Sequence, residues 1–471
     1  MLNLSICFVY LLGIMGVGIL SFKKTRTMTG FFLADRKMGK FFVTGSLVAT
    51  IVGGSNTIGM AGLGFRQGLT GSLWLLVGSL GLFILAAFLA EKVRRFSPYT
   101  LPELMESLYD KRVKMMASVI ICLSWVAIIA GQMIAAGSLL VALIPSSSSL
   151  LVVLFALVII FYTVLGGQYS VIRTDIFQFM IIGLGILGAA LMAINRAGGL
   201  EGMIEGLPGE FFSFPVGGNF KGVDLFSLII MVGSAYLVGP DIYSRLFCAK
   251  DKKTARVSAF SAGVIIIPFA FLITALGMCA RILFPEIEGD EAFPMIIKEV
   301  LPPGVGGLVT ASLLAALMSS ADTCLLTAGT ILTMDICQPY YKHDLSERGL
   351  LILSRVVVVI VGILSLLIAT LIKEVIPALL LGYTVFSSGL ALPIIGGFYR
   401  DKLGLNPKGA IAAIWGGGGF ALIGKFIGLN YCGLIGFIIS GILLFVVSKM
   451  TQCDREMMKD KNRLEKLHDE H

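Results

Sequence analysis

Residues 46–65 read SLVATIVGGSNTIGMAGLGF, an apolar run that is long enough to cross a membrane but is interrupted at its centre. A spanning helix needs about 20 mostly apolar residues. The interruption runs from Gly53 to Asn56, and paired glycines weaken a helix interior. Small residues also let membrane helices approach closely, so packing is the alternative explanation for a glycine pair. The run predicts a broken transmembrane helix, the kind of element that binds solute or ions in transporters.

A second apolar run, at residues 227–247, repeats this feature. It reads SLIIMVGSAYLVGPDIYSRLF and is interrupted at Gly233-Ser234 and again at Gly239-Pro240. The two broken runs lie five apolar segments apart, which favours binding over packing as their role. The spacing predicts two five-helix inverted repeats.

The composition agrees with a membrane protein. Hydrophobic residues make up 56% of the 471 residues, charged residues 14%, and mean hydropathy is +0.92, whereas soluble domains carry about 25% charged residues. We count thirteen apolar segments, at roughly 2–22, 41–65, 70–92, 115–144, 149–166, 174–195, 224–247, 256–283, 305–333, 349–372, 375–399, 408–428 and 430–448. The predicted fold is therefore all-α and polytopic.

A single transporter domain is expected over residues 1–450, followed by a short cytoplasmic tail at 451–471. Its predicted parts are repeat one at about 41–195, repeat two at about 224–399, and peripheral helices at 2–22, 408–428 and 430–448.

The loops predict the orientation, because cytoplasmic loops collect Lys and Arg. The basic loops are the odd-numbered ones, with Lys23, Lys24, Arg26, Arg36, Lys37 and Lys40 after the first segment and Arg245, Lys250, Lys252, Lys253 and Arg256 after the seventh. This pattern predicts a protein of the cell membrane (plasma or inner). Its N-terminus is expected outside the cell and its C-terminus in the cytoplasm. The net charge of +8 is thus explained by topology and contact with lipid, and a nucleic-acid partner is disfavoured.

Ionisable groups at membrane depth are costly and usually functional. Asp322 lies inside the ninth segment and Asp175 at the start of the sixth. Ser319, Ser320 and Thr323 lie within about a turn of Asp322, and their oxygens are suitable ligands for a hard cation. The alternatives are back-bonding of the serines within their own helix and a helix N-cap role for Asp175.

Three further stretches carry a resemblance to a known family. They are FFLADRKMG at 31–39, YTVLGGQYSVIRTDIFQ at 162–178 and AALMSSADTCLLTAGTILTMDI at 315–336. Together with the broken helix at 46–64, they resemble the sodium/solute symporter family over nearly the whole chain. The resemblance implies sodium-coupled transport and the inverted-repeat fold of the bacterial amino-acid and neurotransmitter transporters.

The resemblance also implies site residues. The sodium ligands fall on Ala49, Val52, Ala316, Ser319 and Ser320, and a second cation or release site falls on Asp175, Ser319, Asp322 and Thr323. Asp322 replaces a hydroxyl of that pattern, which suits either a sodium ion or a proton. The candidate substrate residues are Gly53, Gly54, Ser55 and Asn56 of the broken helix, with Trp74, Gln132, Tyr236 and Tyr383.

Departures from the family pattern narrow the substrate. Sugar-transporting members carry Gln and Glu where this chain has Asn56 and Leu75, and proline-transporting members carry an Asp at the position of Ile51. Both substrates are therefore disfavoured. The aromatic candidates, with Trp125, suit part of a cage for a quaternary amine, although each ring alone is more typical of packing.

The predicted function is a sodium-coupled symporter that imports a small polar organic solute by alternating access and acts as a monomer. Sodium is the coupling ion and the only metal expected, and no cofactor is expected. A solute sensor and a proton-coupled symporter of the same fold are the alternatives. No Ser/His/Asp set, metal cluster or P-loop is evident in the sequence, so an enzyme is not expected.

Overall fold

The computed structural model describes residues 2–21, 27–96, 98–141, 148–340, 346–372 and 374–469. Regular secondary structure within these ranges is helical, apart from two isolated bridges. In chain order the α-helices are α1 Leu2–Ser21, α2 Met28–Leu33, α3 Lys40–Ile51, α4 Met60–Gln67, α5 Leu73–Ile84, α6 Ala90–Phe96, α7 Leu101–Leu108, α8 Lys111–Val141, α9 Ser148–Arg196, α10 Gly199–Gly206, α11 Gly222–Leu228, α12 Ser234–Val238, α13 Pro240–Cys248, α14 Lys252–Leu283, α15 Ala292–Glu299, α16 Val305–Ile331, α17 Glu347–Leu371, α18 Val375–Phe386, α19 Leu392–Gly397, α20 Arg400–Leu403, α21 Pro407–Ala413, α22 Gly419–Phe426 and α23 Cys432–Asp469.

Ten helical stretches in the described residues are long and apolar enough to cross a membrane. One of them, Asn56–Phe96, holds parts of two predicted segments, which meet at a turn at Gly68 (φ +64°). Two shorter apolar helices, Lys40–Ile51 and Leu150–Leu165, and the 20-residue α1 account for the remaining predicted segments. Each of the thirteen segments thus overlaps a helix, which confirms the prediction of an all-α polytopic protein. The basic residues Lys23, Lys24 and Arg26 lie outside the described residues.

The first predicted break is present between α3 and α4. Regular helix ends at Ile51, Val52 has a non-helical ψ of +41°, and a wide turn over Ser55–Gly59 leads into α4. The glycines allow the break to lie directly against α16: a Cβ atom on Gly53 would overlap Ser320, and one on Gly54 would overlap Leu317. The two glycines therefore leave room for the Ser320 and Leu317 side chains of α16.

The second break separates α12 from α13. Gly239 is extended, with ψ of +135°, and Pro240 occupies the first position of α13. Proline suits this position because its missing N–H would have no helical partner there. The chain therefore restarts a helix at membrane depth, and the next residue, Asp241, stands in its first turn.

The fifth and sixth predicted segments are two helices that meet at a kink with no long loop between them, and both lie within the range of α9. Its path bends at Gly167, whose φ of +54° and ψ of −172° suit glycine alone. Phe31 packs against this glycine. Because helix continues on both sides of the bend, Asp175 lies inside α9, and the alternative that it caps a helix N-terminus is wrong.

The centre of the fold is α16. It packs against α1, α3, α8 and α9, and its apolar window is the most completely buried of the ten spans. The predicted C-terminal tail is helical as far as Asp469, as a continuation of α23. The broken end of α3 and the polar face of α16 therefore meet in the interior.

Candidate functional site

Three side chains hydrogen-bond the backbone carbonyls at the broken end of α3. Carbonyls in the last turn of a helix lack regular helical partners, and here three consecutive ones each accept a bond from a side chain. The pairs are Ser319 Oγ to the Ala49 carbonyl at 2.7 Å, Ser320 Oγ to the Thr50 carbonyl at 2.6 Å, and Asn56 Nδ2 to the Ile51 carbonyl. The unwound end is therefore held by polar groups from α16 and from its own second half.

The predicted sodium ligands lie around this contact. Ser319 Oγ is also 2.9 Å from the Ala316 carbonyl, so one hydroxyl and two carbonyl oxygens converge. Val52 lies at the break, with its N–H 2.7 Å from the Val48 carbonyl. Back-bonding within α16 accounts for one of the two bonds of Ser319, whereas Ser320 bonds across to α3. The arrangement presents hard oxygen atoms in a buried setting.

A cluster of buried charges lies beside this oxygen site. Asp175 and Arg245 form an ion pair, with Arg245 Nη2 3.2 Å from Asp175 Oδ2 and both side chains fully buried. Ser46 donates a hydrogen bond to the same carboxylate oxygen. Arg245 also donates to Thr323 Oγ1 and, at 3.4 Å, to Thr50 Oγ1. One guanidinium therefore joins α3, α9 and α16 to its own helix α13.

Asp322 belongs to the same cluster and is fully buried. Its Oδ1 lies 3.4 Å from the Thr323 hydroxyl, and its Oδ2 has no hydrogen-bond partner. Tyr10 of α1 lies within electrostatic range of both buried carboxylates and accepts a hydrogen bond from Gln178 at 3.1 Å. The cluster therefore contains two carboxylates and one guanidinium, and one carboxylate oxygen on each acid is unpaired.

The position of Arg245 corrects the sequence analysis, which counted it among the basic residues of a cytoplasmic loop. In the structure it is 0% exposed and lies in α13. Arg245 pairs with Asp175 and lies within electrostatic range of Asp322, so the protein itself supplies a positive charge beside the two carboxylates.

An inner cavity of about 20 Å³ adjoins the break in α3. By the volume open to water centres, it holds about one or two water molecules. Four predicted substrate residues line it, namely Asn56, Gln132, Tyr236 and Tyr383, together with Asp241 of α13 and Ser320 of the oxygen site. Residues predicted to bind the solute and a residue predicted to bind sodium, Ser320, thus line the same cavity, although they come from separate parts of the sequence.

Asn56 is the centre of a hydrogen-bond network above this cavity. Its Oδ1 accepts from Trp74 Nε1 at 2.8 Å, and its Nδ2 donates to the Tyr236 hydroxyl at 2.9 Å. The Trp74 ring contacts the Tyr383 ring, with centroids 6.3 Å apart. Two of these aromatic side chains, Tyr236 and Tyr383, line the inner cavity, and Trp74 contacts the wall through Asn56 and Tyr383.

Trp74 also forms part of the wall of a much larger outer cavity of about 440 Å³. This cavity is bordered by Gln67, Asp224, Lys425 and Tyr431. Trp74 of the outer cavity hydrogen-bonds Asn56 of the inner cavity, so the walls of the two cavities are in contact.

The other predicted residues have different positions. Gly53 and Gly54 face α16 and do not line the inner cavity, and the Ser55 side chain lies outside what the structure describes. Trp125 packs edge-on against Phe386 at 4.9 Å, fully buried, as the packing alternative for a single aromatic residue predicts.

Sequence reasoning missed Asp241 and Arg245. The available signal was their spacing: they lie four residues apart directly after the Gly239-Pro240 break, so both project from the same face of a restarted helix. Asp241 is a further carboxylate within an apolar span, the one at Gly222–Cys248.

Comparisons with known proteins agree with this geometry. The profile of the sodium:solute symporter family matches residues 31–417. The chain belongs to the sodium:solute symporter family. Its recognition from the motifs in α3, α9 and α16 is thereby confirmed, and this symporter is a sodium-coupled, multi-pass membrane transporter and not an enzyme.

Two curated relatives show the range of the family. The symporter is 27% identical to a sodium/glucose cotransporter of Vibrio parahaemolyticus, over 91% of this chain and 86% of the relative. It is 25% identical to the osmoregulated proline transporter OpuE of Bacillus subtilis (strain 168), over 94% of each chain.

A solved structure supports the fold. A Na⁺-coupled sialic acid symporter in a substrate-bound, outward-open state superposes with a TM-score of 0.83 and 19% identity, covering 96% of this chain and 98% of that one. This likeness confirms the predicted five-plus-five inverted-repeat fold of the symporter.

Proposed function

We propose that this symporter imports a small polar organic solute with sodium, which binds at Ala49, Val52, Ala316, Ser319 and Ser320. The observation that carries the proposal is the convergence of the Ser319 hydroxyl on the Ala49 and Ala316 carbonyls, at 2.7 and 2.9 Å. Hard cations bind such hydroxyl and carbonyl oxygens, and a broken helix frees carbonyls for this purpose.

The solute binds in the inner cavity, beside Asn56, Gln132, Tyr236 and Tyr383, and enters past Trp74. The outer cavity of about 440 Å³ supports an outward-facing arrangement, because it borders loops with few basic residues. On the opposite side, near Tyr99 and Thr330, the space is only about 10 Å³. This asymmetry is consistent with an external N-terminus and alternating access in a cell membrane.

The charge cluster serves the release of the coupling ions. Two buried carboxylates and one guanidinium leave one negative charge uncompensated if both acids are ionised. A second coupled cation, either sodium or a proton, satisfies this charge at Asp322 and Thr323, near Asp175. The proposed functional unit is a monomer.

Removal of the Ser320 hydroxyl tests the sodium site. We expect Ser320→Ala to insert normally and to need about 10- to 100-fold more sodium for half-maximal uptake, since a hydrogen bond to a charged group contributes about 1.5–3 kcal/mol. Uptake into proteoliposomes at graded sodium concentrations measures this change, and counterflow distinguishes transport from sensing.

Ser312→Ala is the matched control, because Ser312 is a buried serine of the same helix that donates a hydrogen bond within that helix, to the Val309 carbonyl at 2.7 Å. An unchanged sodium requirement in Ser320→Ala contradicts the assignment. A similar change in both variants indicates a general effect on α16.

A further inference from the structure

Asp241 carries a carboxylate in the wall of the inner cavity. It belongs neither to the proposed sodium site nor to the cluster of buried charges. It follows the second helix break and lines the cavity with Tyr236 and Tyr383. Its carboxylate accepts hydrogen bonds from the backbone N–H groups of Ile242 and of Asp241 itself. None of the ion pairs among the described residues includes Asp241.

A carboxylate at membrane depth is stabilised by a positive charge or takes up a proton. Arg245, one turn further along α13, lies within electrostatic range of Asp241 but forms its ion pair with Asp175. The proposed sodium ligands surround Ser319, between α3 and α16. A cation that enters the inner cavity would therefore meet the Asp241 carboxylate without displacing an ion-pair partner.

The remaining cavity wall favours an organic cation over a metal ion. The side chains Trp74, Tyr236 and Tyr383 bring aromatic rings to the region of Asn56, with the Trp74 and Tyr383 rings in contact. Both tyrosines lie within electrostatic range of Asp241. Ring faces attract ammonium groups within about 6 Å, and a carboxylate provides the opposite charge at short range.

The geometry points to Asp241 as the residue that recognises the solute, and to a small organic ammonium ion as the chemical class of that solute. This inference rests on the proposed function, because it assigns a substrate to the same cavity. Primary and quaternary ammonium ions share the required charge. A primary ammonium also donates hydrogen bonds to the carboxylate, whereas a quaternary one relies on the rings.

Four small probes test the inference on the purified full-length protein in sodium buffer, and three of them, all but choline, are of similar size. Ethanolamine and choline are the cationic probes, ethylene glycol is the neutral probe and acetate is the anionic one. Thermal unfolding is followed with each probe at up to about 10 mM, where even a millimolar site becomes occupied. We expect stabilisation by ethanolamine or choline only, and the preferred probe distinguishes hydrogen bonding from ring contact as the main source of affinity.

The variant Asp241→Asn keeps the shape of the side chain and removes its charge. We expect its apparent affinity for the cationic probe to fall about tenfold or more, in line with the loss of a charged contact. The matched control is Asp224→Asn, at the outer cavity, where the carboxylate accepts a hydrogen bond from Tyr431 at 2.8 Å. This control variant should bind the probe like the wild type.

Stabilisation by sodium alone, measured on each variant, shows that the protein is folded and tests the sodium site separately. The inference is overturned if neither cationic probe stabilises the wild type, if ethylene glycol or acetate stabilises it instead, or if Asp241→Asn retains full affinity. If sodium alone does not stabilise the wild type against thermal unfolding, the proposed sodium site is refuted instead.

Discussion

The ion pair between Arg245 and Asp175 makes a quantitative prediction about stability. Both side chains are 0% exposed and their nearest atoms are 3.2 Å apart. Arg245→Gln leaves the Asp175 carboxylate with Ser46 as its remaining donor. Breaking a buried pair on one side costs about 3–5 kcal/mol, so we expect the unfolding free energy of this variant to fall by that amount.

The double variant Arg245→Gln/Asp175→Asn removes both charges together. We expect it to be more stable than the sum of the single changes predicts, with a coupling energy of about 1–3 kcal/mol. Denaturant titration of the protein in mild detergent, followed by tryptophan fluorescence, measures the three differences.

The control is the exposed pair Arg256–Glu91, which is also 3.2 Å long but has side chains 56% and 50% exposed. Arg256→Gln should change the unfolding free energy by about 0–1 kcal/mol. Two results refute the reasoning: an effect of Arg245→Gln no larger than this control, or effects of the two buried substitutions that simply add.

Three further predictions follow from other contacts. Asp322→Asn should remove one coupled cation. A lower sodium Hill coefficient identifies this cation as sodium, whereas a lost pH dependence of the reversal potential, measured at two pH values, identifies it as a proton. No change in either quantity excludes a coupling role. Gly54→Leu should abolish transport because its side chain overlaps Leu317, and Leu317→Ala should restore part of it; failure of this rescue would locate the defect elsewhere. Burial raises the pKa of Asp290 above 3.8, although Arg66 opposes the shift, so the folded state binds the proton more tightly and stability falls as pH rises from about 4. Asp290→Asn should flatten this slope in thermal unfolding against pH, and an unchanged slope would show that Asp290 is not its source.

The fold was predictable because the membrane imposes a length on each apolar run. Thirteen runs gave thirteen helical regions, and the glycine pair in 46–65 located the first break to within about two residues. The bend at Gly167 was less accessible, because the Gly166-Gly167 pair between two apolar runs is equally consistent with a loop.

Residues of the candidate site that local sequence spacing marks were predictable. Residues whose role follows from their burial in the folded chain were not. Ser319 and Ser320 stood out as paired hydroxyls in an apolar helix. Arg245 did not, because it precedes three lysines in the chain and a count of loop charges cannot show which one is buried. Asp241 escaped notice for a related reason, since a Gly-Pro-Asp sequence is also typical of a turn.

The hydroxyl groups at the end of α3 have a consequence for the order of events during transport. A serine hydroxyl has one proton and two lone pairs, and in this structure the protons of Ser319 and Ser320 are available to the carbonyls of Ala49 and Thr50. A sodium ion at the proposed site would bind the same hydroxyl oxygens through their lone pairs, and the protons would turn away. Each hydroxyl would then have two orientations, one that joins α3 to α16 by a hydrogen bond and one that coordinates the ion between them. On this proposal the ion is exchanged without separation of the two helices.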